Sequence, residues 1–116
     1  MGWFGNMALN TAVKKSLLDI TEQAEIYQKK NPGMDFQKAL ICIAKDQGIF
    51  EKETFRRCES WEGQFLFIVI KSTRDQIRHD PNFWKQENMQ TITKLVGEWV
   101  LSLGGNMENM VDDTNR

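Results

Sequence analysis

The chain has 116 residues, 41% hydrophobic and 27% charged, and its 15 Lys and Arg nearly balance 16 Asp and Glu, for a net charge of −1. That length fits one domain with a sizeable core. The charge balance disfavours nucleic-acid binding by a strongly basic surface, and no stretch approaches the roughly 18 apolar residues of a membrane span. No basic region followed by a long apolar run marks a signal peptide. The Met-Gly start places Asn6 where N-myristoylation needs Ser or Thr. Cys42 and Cys58 are the only cysteines. Cys42 lies in a helical apolar pattern, so a reduced, cytoplasmic protein is expected.

In chain order, residues 1–9 include Gly2, Trp3, Phe4 and Gly5 without a clear period and are expected to form a flexible or docked arm. The spacing of Val13, Leu17, Ile20, Ala24 and Tyr27 predicts a first helix from an Asn10 or Thr11 cap to about Lys30. Asn31-Pro32-Gly33 stops it. Asp35 is a good cap for a second helix, Phe36 to Gln47, with Phe36, Leu40, Ile43 and Ala44 inside and Ile41 pointing away. Gly48 can end that helix left-handed, folding Ile49 and Phe50 back onto its last turn.

Residues 51–79 are harder to read. Phe55, Cys58, Trp61, Phe65, Val69 and Ser72 keep a helical stripe, interrupted by Gly63, so one kinked helix or two consecutive helices fit. The apolar run Phe65 to Ile70 also has strand character. No other segment reads as β, and a lone buried strand would leave its backbone unsatisfied. Helix is therefore expected. Asp80 as cap and Pro81 in the first helical position predict the start of the last helix, with Trp84, Ile92, Leu95, Val96, Trp99 and Leu103 inside. Gly104-Gly105 ends it, leaving residues 105–116 as an acidic frayed tail, in which Met107, Met110 and Val111 could make one amphipathic turn. The expectation is an all-α fold: a compact antiparallel bundle of four to five helices over residues 10–104.

Chemistry is sparse. His79 is the sole histidine and reads as a solvated helix-end residue. Two separated cysteines and one histidine cannot make the usual zinc site, and the scattered glycines form no phosphate loop. Glu59 and Glu62 fall at helical neighbour spacing, a pattern that usually means surface charge, as does Asp112-Asp113. No catalytic residue, cofactor or metal ligand is expected.

Two surfaces remain. At about 100° per residue, Lys71, Arg74 and Arg78 share one side of a helix, with Phe67 among them and Ile70 nearby. Together with Arg56 these cations are candidate contacts for phosphate, nucleic acid or an acidic protein, although a solvated face is the plainer reading. Trp3, Phe4, Ile41, Phe67 and Ile70 are candidate partner contacts, while Trp61, Trp84 and Trp99 read as core. Leu18, Ile26, Ile41, Phe83 and Leu101 lie off the stripes as surplus apolar surface, which predicts a homodimer. The functional expectation is a small cytosolic protein-interaction module (adaptor, inhibitor or immunity-type) that acts by surface occupation. A regulator binding nucleic acid or another polyanion comes second, and an enzyme third.

Overall fold

The run Phe65 to Ile70 lies in the helix that the rest of the molecule packs around. In the computed structural model, which describes the backbone of residues 2–114 and the side chains of 7–110, α4 (Trp61–Gln76) packs most extensively against four other helices. These are α1 (Gly2–Lys30), α2 (Phe36–Asp46), α5 (Gln86–Ser102) and α6 (Met107–Thr114). A helix apolar on most of its circumference is stable only when surrounded. Phe65, Leu66, Ile68 and Val69 are accordingly buried, while Phe67 and Ile70 are half-buried against the core. The short α3 (Glu53–Arg56) completes six helices among the described residues, which contain no strand. The fold is all-α and consistent with a helical bundle, as expected.

The 29 residues of α1 measure about 43 Å at 1.5 Å each, which accounts for most of the 47 Å long axis. The helix starts at Gly2, ahead of the expected Asn10 or Thr11 cap. Leu9 is the reason: it is buried one turn before Val13 and extends the Leu17, Ile20 and Ala24 stripe. Tertiary burial here outweighs the capping preference of two polar residues. A polar seam sets the register of α1 on α4. The buried Ser16 hydroxyl accepts from Gln76 Nε2 at 2.6 Å and from Thr73 Oγ1 at 3.3 Å, and donates to Ser72 Oγ at 3.1 Å.

The second helix starts as expected, with Asp35 accepting from the Lys38 N–H at 2.7 Å. Gly48 adopts φ +71°, and the buried Ile49 donates its N–H to the Ala44 carbonyl at 2.9 Å. Ile41 departs from expectation: it is half-buried against the core.

Two boundaries also differ. The break in residues 51–79 falls at 57–60, where Ser60 Oγ caps α4 by accepting from the Gly63 N–H at 3.2 Å. Gly63 thus belongs to the first turn of a helix and does not interrupt one. Asp80 does not cap the last helix. Its carboxylate accepts from the Asn82 N–H at 2.8 Å within a turn over residues 81–84, and α5 begins at Gln86. Delaying the helix exchanges the two neighbouring aromatics: Phe83 is 2% exposed and Trp84 is 62% exposed, the reverse of the expected arrangement. Leu103, expected inside, is 40% exposed just past the end of α5.

The expected frayed tail contains α6, whose Met110 is fully buried. Glu62, expected as surface charge, is 4% exposed. It accepts from the Asn106 backbone N–H at 2.9 Å and from Asn109 Nδ2 at 3.3 Å, holding the start of α6 against α4. Gly105 lets the chain pass beneath Trp61, since a Cβ there would lie 2.5 Å from the indole ring. Neither Cys42 nor Cys58 is in a disulfide. Among the described residues no helix is long and apolar enough to cross a membrane.

Candidate functional site: a basic, aromatic cleft

Phe67, Ile70, Lys71 and Arg74 are spaced i, i+3, i+4 and i+7, so α4 presents them as one ridge. That ridge lines a cleft of about 230 Å³ together with Lys52 and Thr54 at the start of α3 and with Trp84. The ring of Phe55, buried, lies 6.1 Å from that of Phe67 and ties α3 to the ridge. Phe83, anchored in the core, holds Trp84 edge-on with centroids 4.9 Å apart and planes at 86°. The exposed indole is therefore fixed at its base and open at its outer face.

Three cations meet this cleft. Lys71 pairs with Asp75 one turn on, and Arg74 Nη2 stands 3.7 Å from the same carboxylate. One acid thus serves two bases, and Lys52 adds a charge with no ion pair among the described residues. The local balance is positive. Such exposed pairs contribute only about 0–1 kcal/mol each, so a ligand carboxylate can displace Asp75 at little cost. The cleft is suited to an apolar group bearing, or lying beside, a negative charge.

The structure divides the candidate residues. It brings together Phe67, Ile70, Lys71 and Arg74. Arg56 is exposed on α3 outside the cleft lining, and Arg78 borders a separate hollow with Leu9, Ile77 and His79, so the four cations do not form one stripe. Ile41 is packed against the core on α2. The side chains of Trp3 and Phe4 lie outside the described residues, as do those of Val111, Asp112 and Asp113. His79 is exposed beside the turn. Sequence reasoning missed Lys52, Thr54 and Trp84. Lys52 and Thr54 carry no periodic signal, and Trp84 was misplaced because the helix start was.

Elsewhere, Trp61 packs edge-on against Phe36 at 5.1 Å, and Trp99 donates Nε1–H to Thr21 Oγ1 at 2.9 Å, joining α5 to α1. Both are half-buried. Among the described residues no three of His, Cys, Asp and Glu converge as metal ligands. No family model, curated protein or solved structure matches this chain.

Proposed function

We propose that this chain is a small cytoplasmic protein-interaction module that acts by occupying a partner's surface, without catalysis. The observation that carries the reading is the cleft: a 62% exposed tryptophan over an apolar ridge, rimmed by Lys52, Lys71 and Arg74. Exposing an indole to water is unfavourable, and tryptophan and arginine are both enriched among the anchor residues of protein interfaces. The partner would present an apolar side chain next to carboxylates. The two cysteines outside any disulfide agree with a reducing compartment. The exposed Leu18, Ile26 and Leu101 further support a homodimer.

Binding of a polyanion is the second reading, favoured by the convergence of Lys52, Lys71 and Arg74. The net charge of −1 and the separation of Arg56 and Arg78 from the cleft weigh against it. The test is co-purification from the native host with mass spectrometry, using the full chain, Trp84→Ala and the double variant Lys71→Ala with Arg74→Ala. A single protein captured by the native chain and lost with both variants, at unchanged melting temperature, is the expected result. Retention of that protein by both variants would remove the cleft from the contact. Capture of nucleic acid instead, with affinity falling steeply as salt rises, would promote the second reading.

A further inference from the structure

A second face of the molecule is self-complementary. Between α1 and α5 runs a groove of about 420 Å³ whose lining is mainly apolar, formed by Leu17, Leu18, Leu95 and Trp99. Leu17 is buried at its base, Leu95 and Trp99 are half-buried, and Leu18 stands 58% exposed beside them. The groove has one charge from each helix, Lys14 from α1 and Glu98 from α5, both exposed. Neither makes an ion pair among the described residues. An apolar strip with a cation on one side and an anion on the other matches its own image turned through 180° about an axis along the strip. In an isologous contact, whatever one copy presents at one rim meets what the other presents at the opposite rim.

We propose that the α1–α5 groove is the seat of a second copy of this chain, paired by a two-fold axis that runs along the groove, midway between Lys14 and Glu98. This rests on the homodimer reading above and adds the surface and its pairing. Each Lys14 then meets the partner's Glu98, a contact that symmetry makes twice in the dimer, and each Leu18 lies over α5 of the partner, adding apolar contact beside Trp99. The chain's net charge of −1 offers almost no long-range repulsion between copies. The cleft at Trp84 is lined from α3, α4 and the 81–84 turn, with no residue of this groove, so the dimer leaves both clefts available to the partner.

The test is sedimentation of the full chain across the micromolar range, beside Lys14→Glu, Glu98→Lys and Leu18→Glu, with circular dichroism to confirm unchanged helicity. All three positions are exposed, so folding should survive each change. The native chain should dimerise. Each charge reversal creates two like-charge contacts and should weaken the dimer roughly tenfold, and Leu18→Glu should weaken it by more than about a hundredfold. Mixing the two charge-reversal variants should restore a dimer of native affinity, because both contacts in the mixed pair are again opposite in sign. A native chain that stays monomeric would overturn the dimer and this surface together. A native dimer that tolerates all three changes, or reversal variants that fail to pair with one another, would overturn this surface alone.

Discussion

Glu62→Ala offers a sharp test of how the last helix is held. Glu62 is 4% exposed, and its carboxylate takes two hydrogen bonds from the segment that starts α6, one from the Asn106 backbone at 2.9 Å and one from Asn109 at 3.3 Å. A bond to a charged acceptor contributes about 1.5–3 kcal/mol, and the longer of the two should contribute less. α6 has eight residues, well short of the roughly 12–15 that an isolated helix needs, so it persists only while docked. Loosening it also endangers the burial of Met110, worth about 2 kcal/mol. The expected loss is about 2–4 kcal/mol for Glu62→Ala, read from urea melts, which is a fall of roughly 4 °C in melting temperature per kcal/mol at this size. Glu62→Gln keeps an acceptor oxygen in place and should cost about 1 kcal/mol. Hydrogen exchange gives the location: amides of α6 should lose protection in Glu62→Ala before those of α4. A variant within about 0.5 kcal/mol of the native chain, with α6 still protected, would refute the anchoring role.

Two further predictions concern the aromatic ridge and the joint between the first helices. Phe65→Ala should cost about 3–5 kcal/mol, because Phe65 is fully buried among Phe36 and Trp61. Phe67→Ala should cost about half as much and also reduce partner capture; equal losses in paired thermal melts would make Phe67 a core residue with no share in the cleft. Tyr27 donates its hydroxyl to Asp46, and that bond, with some burial and the carboxylate's charge, pushes the phenol from 10.0 up to about 12. Since the folded value lies above the unfolded one, the stabilisation is complete below pH 10.0 and lost as the pH rises to about 12. Tyr27→Phe should therefore be about 1 kcal/mol less stable near neutral pH, with the gap closing through that window; a gap independent of pH would exclude the assigned bond.

The elements with repeating apolar residues were legible in the sequence, because a period near 3.6 is a local property of the chain. The α1 stripe from Val13 to Ala24, the Asp35 cap and the Gly48 stop all stand where the residues put them. The grouping of Phe67, Ile70, Lys71 and Arg74 on one ridge was equally visible, being a matter of angles along one helix. Only tertiary contact decided the rest. A cap residue such as Asp80 can close a turn or begin a helix with the same hydrogen-bonding carboxylate, and the choice fell to Phe83, which gains more from the core than the first turn of a helix would provide. That choice put Trp84 on the surface and made the cleft. Glu62 looked like one more surface acid because nothing near it in sequence needs a partner. Its donors arrive from 44 and 47 residues away, after α5 has returned the chain to α4. Local periodicity shows which face of a helix is apolar, but which polar groups meet across the bundle depends on distances that only the packed chain defines.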